Sequence, residues 1–136
     1  MILEFDGQQW TQVSSGASDD FVSLWGQGPD EIIAVGGRSN GQIATFDGQQ
    51  WNSEILGGSP GLNGIWMDCQ GTAHINGVDG HALTLAAGAD SPQVESTPTS
   101  TVLHASFGFD DGPRYAVGGT LLSSPPYTGT ILVSED

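Results

Sequence analysis

Short apolar runs alternate with turn-forming residues along the chain. Four consecutive runs are rich in β-branched and aromatic residues and are bounded by Gly, Asp, Asn or Pro: Phe21–Trp25, Ile32–Gly36, Gln42–Phe46 and Trp51–Leu56. Runs of this kind predict β-strands. Because no stretch has a sustained helical period with caps, we predict an all-β chain with four strands in about 40 residues.

The strand pattern repeats every 41 residues. The hexapeptide Phe-Asp-Gly-Gln-Gln-Trp occurs at Phe5–Trp10 and again at Phe46–Trp51. The same interval separates three aromatic residues, Trp25, Trp66 and Phe107. A fixed period of this size is typical of repeat architectures, so the chain holds about three copies of one unit.

A motif within the repeat resembles a known family. Trp25–Gly37 has the pattern Trp-Gly-x-Gly-Pro-Asp-x-x-x-Ala-Val-Gly-Gly, and Phe46–Trp51 follows as Phe-Asp-Gly-x-x-Trp. Together they resemble a repeat of bacterial β-propeller proteins over most of the chain. The resemblance implies blades of four antiparallel strands and no particular chemistry, because propellers host many functions. The turn is also similar to the Asp-box of sialidase-type propellers, but the full pattern is absent and no glycosidase activity is expected.

The repeat divides the chain into one partial and three larger blades, at residues 1–13, about 21–56, 62–96 and 101–136. The partial blade matches the third and fourth strands of a unit, at Ile2–Phe5 and Trp10–Val13, and the last blade ends in Thr130–Val133. About three blades are too few to close a ring. We therefore expect one domain that closes by homo-oligomerisation, as a dimer of about six blades in which N-terminal strands complete the partner's last blade.

Charge limits the classes of partner. The chain has no Lys, its only cationic residues are Arg38 and Arg114, and its formal net charge is −14. Because phosphate contacts rely on Lys and Arg, we expect no nucleic-acid binding and no attraction to anionic membranes. The charge indicates solubility, with recognition of a cationic partner or divalent cation as the alternative.

Targeting and redox signals are weak. No run of 18 apolar residues predicts a membrane span, and the N-terminus lacks the features of a signal peptide, so a cytoplasmic location is expected by default. The single Cys69 is expected to be a small side chain in a turn rather than a reactive thiol.

Candidate catalytic and metal-binding groups are few. His74 falls at the repeat position of Ile33 and Tyr115, where a packed or channel-lining side chain is expected. His104 lies in the innermost strand of the third copy, and no histidine has a second one at metal-ligand spacing. Asp110–Gly112 lacks a complete Ca²⁺ loop pattern and is better explained as a turn. We expect no catalytic residue, metal or cofactor.

The periodic aromatic residues have two interpretations. Trp25, Trp66 and Phe107 are predicted to form the core between blades, because large aromatic side chains usually bury. A lectin-like propeller would instead place some of them in shallow pockets between blades, where they stack on sugars.

The third copy departs from the repeat in one loop. Thr120–Thr128 occupies the place of the short link Arg38–Asn40 in the first copy. Its Leu, Pro and Tyr residues suit a protein or ligand contact, and a tolerated insertion is the alternative. The residues predicted to bind a ligand are Tyr127, Leu121, Leu122, Arg38 and His104.

The sequence thus predicts a non-catalytic binding or interaction module, built on an oligomeric β-propeller, that contacts a protein or glycan through its loop face. One alternative is a glycan-binding, lectin-like propeller. Another is a hydrolase- or lyase-type enzyme with a site at the central channel that uses His104, His74 or Asp side chains. A purely structural assembly unit is the third.

Overall fold

The computed structural model describes residues 1–120 and 124–135. These residues form four small antiparallel sheets, none of them closed, and the all-β prediction is confirmed. The N-terminal hairpin contains β1 (Ile2–Phe5) and β2 (Trp10–Val13). Sheet I contains β3 (Phe21–Gly28), β4 (Glu31–Gly36), β5 (Gly41–Phe46) and β6 (Trp51–Leu56).

The two remaining sheets follow in chain order. Sheet II contains β7 (Leu62–Met67), β8 (Ala73–Gly77), β9 (Ala82–Leu85) and the short β10 (Gln93–Glu95), with a single 3₁₀ turn at Val78–Gly80. Sheet III contains β11 (Leu103–Gly108), β12 (Arg114–Gly119) and β13 (Gly129–Ser134). Across residues 1–120 and 124–135, no helix is long and apolar enough to cross a membrane.

The repeated hexapeptide forms the same turn twice. In the first copy Asp6 Oδ1 accepts hydrogen bonds from the backbone N–H groups of Gln8 and Gln9, both at 2.8 Å. Asp47 Oδ1 accepts the equivalent bonds at 2.9 and 2.8 Å. The following glycine has a positive φ in both turns, 96° at Gly7 and 87° at Gly48, which favours a residue without a Cβ. These local bonds explain why the hairpins form where the sequence predicts them.

Three glycines at the 41-residue spacing allow the segment before each sheet to pack closely against that sheet. A Cβ at Gly36, Gly77 or Gly118 would lie 2.1, 2.1 or 1.9 Å from a backbone carbonyl oxygen of the preceding segment. Only glycine allows so close an approach. The connections therefore enter all three sheets in the same way.

The sheets stack in chain order through their first strands, because β7 contacts both β3 and β11. Directly paired residues share a face, so Ile33, Val35 and Ile43 of sheet I point together toward sheet II. They form one buried cluster with residues of sheet II, among them Leu62, Ile65, Met67, Ala73, Ile75 and Leu83. This apolar interface between sheets I and II is the core of the protein.

The prediction that the periodic aromatics form a core holds only in part. Trp66 is 5% exposed, and the atoms nearest to a Cβ placed on Gly108 of sheet III belong to its ring. Trp25 is 38% exposed and Phe107 is 49% exposed, so neither is a buried core residue and the prediction is wrong for these two side chains. The reason for Phe107 is that sheet III has no sheet packed on its far side among the described residues.

Candidate functional site

The repeat creates two comparable interfaces, and their chemistry differs. Between sheets I and II both walls are apolar. The interface between sheets II and III is formed by the residues 41 positions later in the chain. On both of its walls, several of these residues are polar or glycine where their equivalents are apolar. Ile33 and Val35 correspond to His74 and Asn76 on one wall, and Ile65, Met67 and Ala73 correspond to Ser106, Gly108 and Arg114 on the other. The second interface is therefore a polar cleft, and scaffolding alone does not explain it.

Arg114 links the two walls of the polar cleft. Its Nη1 lies 2.6 Å from His74 Nδ1 and donates to Glu95 Oε1 at 3.2 Å. Its Nη2 donates to Ser134 Oγ at 3.2 Å. The guanidinium thus ties β12 to sheet II and to the neighbouring strand β13, and the Glu95 carboxylate offsets its charge.

His74 has contacts on both ring nitrogens. A guanidinium can only donate hydrogen bonds, so Nδ1 accepts from Arg114 and the ring proton lies on Nε2, which is 3.6 Å from Asp68 Oδ2. The ring also stacks on Trp66 with a centroid separation of 5.4 Å. Burial, and next the positive charge of Arg114, lower the pKa of His74 below its ordinary value, although Asp68 and Glu95 oppose the shift. The imidazole is therefore neutral near pH 7.

The carboxylates of Glu95 and Asp68, which lie beside Arg114 and His74, remain ionised. Burial alone would raise the pKa of Glu95, but hydrogen bonds from Thr84 and Arg114 outweigh it and lower that pKa. Burial likewise opposes the shift at Asp68, whose pKa is lowered by the backbone N–H groups of Thr72 and Gln70 and by His74. Both carboxylates belong to sheet II and are ionised at neutral pH, while Arg114 supplies the opposite charge from sheet III.

Asn76 is the most deeply buried polar side chain of the cleft, at 2% exposed. Its Nδ2 donates to Ser106 Oγ at 2.6 Å across the interface, while its Oδ1 has no hydrogen-bond partner. The side chain lines a cavity of about 440 Å³ that Trp66, Glu95 and Arg114 also line. The oxygen itself is buried beside β7, where a Cβ on Gly64 would lie 2.7 Å from it, so the unmade hydrogen bond costs about 1–3 kcal/mol.

A second cavity, of about 720 Å³, adjoins the first and shares Trp66, His74 and Glu95 with it. Arg114 and Glu135 also line both cavities, and the second one adds carboxylates from Asp68, Asp110 and Asp111. Among residues 1–120 and 124–135, no group of three or more His, Cys, Asp or Glu residues is placed to hold a metal ion.

The outer face of sheet III is a second candidate surface. Cross-strand pairing places five side chains together on it: Phe107, Tyr115, Val117, Ile131 and Val133. We call these residues the open face. Val117 is 41% exposed and Ile131 is 69% exposed, whereas their equivalents in sheet I, Val35 and Ile43, are 0% and 1% exposed. The same repeat surface is thus buried in sheet I and uncovered in sheet III.

The residues predicted to bind a ligand lie on separate elements. Arg38 is highly exposed and pairs with Asp20 at 2.7 Å. His104 is half-buried in β11, with Nε2 3.1 Å from the Gly119 carbonyl oxygen. Tyr127 is exposed on the connection between β12 and β13. Leu121 and Leu122 lie outside the described residues. The described contacts do not bring Arg38, His104 and Tyr127 to one site, and none of these three lines either cavity of the cleft.

Sequence reasoning missed Arg114, Glu95 and Asn76 as site residues. Two signals could have found them: Arg114 is one of only two cationic residues in the chain, and Asn76 interrupts the apolar series at its repeat position. Glu95 lies 41 residues after Glu54, but the two differ in pairing, since Glu95 lies opposite Ala82 and Glu54 lies opposite Ile43. No family model, curated protein or solved structure matches the chain.

Proposed function

We propose that the protein is a non-catalytic binding module, that its sheets are blades of a propeller-like array, and that copies of the chain associate through the open face of sheet III. One observation carries the proposal: the open face repeats the surface that sheet I buries in the core, yet its apolar side chains are in solvent. Contiguous exposed apolar surface of this kind is typical of an interaction site.

The repeat also indicates which surface covers the open face. In the core, Ile65 of sheet II lies in one cluster with Val35 and Ile43 of sheet I. The equivalent of Ile65 in sheet I is Leu24, which is exposed. Sheet I of a second copy therefore offers the matching surface, with its Leu24 against Val117 of the open face. A contact between unlike surfaces closes a ring when the rotation allows, and two copies would give about six blades.

The chain ends carry further unpaired surface. Within residues 1–120 and 124–135, strand β13 is the outer strand of sheet III and pairs only with β12. The N-terminal hairpin matches the third and fourth strands of a repeat unit, and its Leu3, Phe5 and Trp10 side chains are exposed. Both features favour association with another copy, because unpaired strand edges and exposed apolar side chains attract partners.

The surroundings of His74 and His104 favour binding over catalysis. A general base needs a nitrogen that is free to take a proton from a substrate. Both nitrogens of His74 face protein groups, and His104 Nε2 faces the Gly119 carbonyl oxygen. An enzyme that used these histidines would need a ring nitrogen that faces solvent and has no protein partner.

Light scattering of the wild type and of two charge variants tests the association. We expect wild-type dimers at micromolar concentration and monomers for Val117→Asp, since an aspartate on the open face would be buried without a partner. The control is Val94→Asp on β10, because Val94 is also exposed but lies outside the open face. A monomeric wild type, or equal effects of the two variants, would overturn the proposal.

A further inference from the structure

Two strands belong at one position of the repeat when copies of the chain associate. The N-terminal hairpin is part of the unit before sheet I, because β1 and β2 lie 41 residues before β5 and β6. In the proposed contact between copies, sheet III of the partner occupies this same unit. Sheet III already has a third strand, β13, and the hairpin brings another third strand, β1. The shared unit would therefore contain two strands for one place.

We propose that the N-terminal hairpin of one copy displaces β13 from sheet III of the other copy, so that β1 pairs with β12. This inference rests on the proposed association through the open face and names the strands that complete the interface. The resulting sheet has the order β11-β12-β1-β2. It has four antiparallel strands in sequence, as sheets I and II do.

The edges of the hairpin explain why β13 must leave. In sheet I one edge of β5 pairs with β6 and the other edge pairs with β4. Strand β1 uses the first of these edges for β2, since Phe5 lies opposite Trp10 as Phe46 lies opposite Trp51. Within residues 1–120 and 124–135, nothing pairs with its other edge. The partner that the repeat assigns to that edge is β12, where β13 now lies.

The two competing strands present the same residues to β12. Ile131–Leu132 of β13 lies opposite Val117 and Ala116. The register between β4 and β5, moved to the equivalent positions, places Ile2–Leu3 of β1 opposite the same two residues. An isoleucine then faces the open side and a leucine faces sheet II in either arrangement. The exchange therefore keeps the apolar character of both faces of sheet III.

The hairpin is already folded as a third and fourth strand. The rings of Phe5 and Trp10 have centroids 5.0 Å apart and planes at 34°, and those of Phe46 and Trp51 in sheet I have centroids 5.2 Å apart and planes at 33°. Phe5 and Trp10 are exposed, however, whereas Phe46 and Trp51 are partly buried. Pairing with β12 would surround the first pair as the second is surrounded, and little conformational freedom is lost because the hairpin is formed beforehand.

Strand β13 gives up few contacts when it leaves. Its Ile131 and Val133 side chains are exposed. The hydrogen bond from Arg114 Nη2 to Ser134 Oγ is lost, but the contacts of Arg114 with sheet II do not involve β13. The backbone bonds of β12 are made again with β1, and β2 adds a fourth strand. The exchange therefore increases the total pairing of sheet III.

Cysteine cross-linking between copies tests the new pairing. Ile2→Cys and Val117→Cys chains, both with Cys69→Ser, are refolded together from urea and oxidised. The matched control replaces Ile2→Cys by Val13→Cys, because Val13 lies directly opposite Ile2 in the hairpin. Val13 would lie one strand further from β12, at about 10 Å, which is beyond the reach of a disulfide. We expect about tenfold more cross-linked dimer with Ile2→Cys than with Val13→Cys.

A disulfide that holds β13 on β12 tests the displacement itself. The Thr120 N–H donates to the Thr128 carbonyl oxygen, and hydrogen-bonded pairs alternate along two antiparallel strands. Val117 and Ile131 are therefore a closely spaced pair without backbone hydrogen bonds, which suits a disulfide. The Val117→Cys/Ile131→Cys variant, also with Cys69→Ser, should dimerise about tenfold more weakly when oxidised than when reduced, since the cross-strand pairs with β1 cannot form.

The outcomes separate this inference from the association on which it rests. A dimer without the Ile2→Cys to Val117→Cys cross-link, or equal cross-linking of the Val13→Cys control, would overturn only the displacement. An oxidised variant as dimeric as its reduced form would do the same. Cross-linking of Ile2→Cys chains with each other would show that two β1 edges pair, which also contradicts it. A monomeric wild type in light scattering would overturn both proposals.

Discussion

The repeat supplies a matched pair of isoleucines that separates packing within the chain from packing between copies. Ile43 and Ile131 sit at equivalent positions in sheets I and III, opposite Val35 and Val117 respectively. Ile43 is 1% exposed in the core, and Ile131 is 69% exposed on the open face. Replacing each isoleucine by alanine therefore compares the same repeat position where another sheet covers it and where it is exposed to solvent.

The expected cost follows from the exposed fractions. Ile→Ala removes three carbon groups, worth about 0.8 kcal/mol each when fully buried, or about 2.4 kcal/mol in transfer free energy. At Ile43 the cavity left behind adds to this transfer free energy. We therefore expect the free energy of unfolding to fall by about 2–5 kcal/mol, the usual range for a buried isoleucine. At Ile131 about a third of the side chain is covered, which leaves a loss of about 0.7 kcal/mol.

Urea denaturation followed by tryptophan fluorescence measures both values. The protein must be dilute enough to be monomeric, because association would stabilise the folded state by mass action. At higher concentration Ile131→Ala should lose stability relative to the wild type, while the deficit of Ile43→Ala should hardly change. Equal losses for the two variants under dilute conditions would refute the assignment of the core to the interface between sheets I and II.

Three further predictions follow from local structure. The pKa of His74 is lower in the folded chain than its ordinary value of 6.5. As the pH drops below 6.5, His74 is therefore protonated in the unfolded chain before it is protonated in the folded chain. The free energy of unfolding falls as a result. His74→Gln should reduce this slope between about pH 7 and 5.5, and an unchanged slope in thermal melts would count against a buried neutral imidazole. Gly77→Ala should cost about 1–3 kcal/mol or more in urea titrations, because its Cβ would lie 2.1 Å from the Gly61 carbonyl oxygen, whereas Gly57→Ala, with open space around it, should cost under about 0.5 kcal/mol. Deleting residues 1–13 should expose strand edges and cause aggregation visible by light scattering, and a soluble monomer with wild-type melting behaviour would argue that the hairpin has no role in assembly.

The strands could be predicted closely because their signals are local. The bounds of β1, β2 and β6 equal the predicted ones, since the Asp-Gly turns that flank them form from neighbouring residues. The other strands of sheet I extend the predicted runs by one to three residues. The remaining difference lies at strand ends, where pairing partners rather than composition decide the limits.

Burial and the polar cleft could not be predicted in the same way. Trp66 and Phe107 occupy one repeat position, yet only Trp66 has a sheet packed against it. The contact between Arg114 and His74 joins residues 40 apart in the chain, on different sheets. Such pairs depend on how whole sheets stack. Comparing equivalent positions on facing sheets would have revealed the polar replacements once the stacking order was known.

The most direct test of the account is the proposed contact between Leu24 of one copy and Val117 of another. Two single-cysteine variants, Leu24→Cys and Val117→Cys, are made in a Cys69→Ser background, which removes the exposed native thiol. Mixed under oxidising conditions, they should form a disulfide-linked dimer on a non-reducing gel, and neither should do so alone. Dimers from Val117→Cys alone would show that two open faces meet each other, and monomers in the mixture would contradict association through this face.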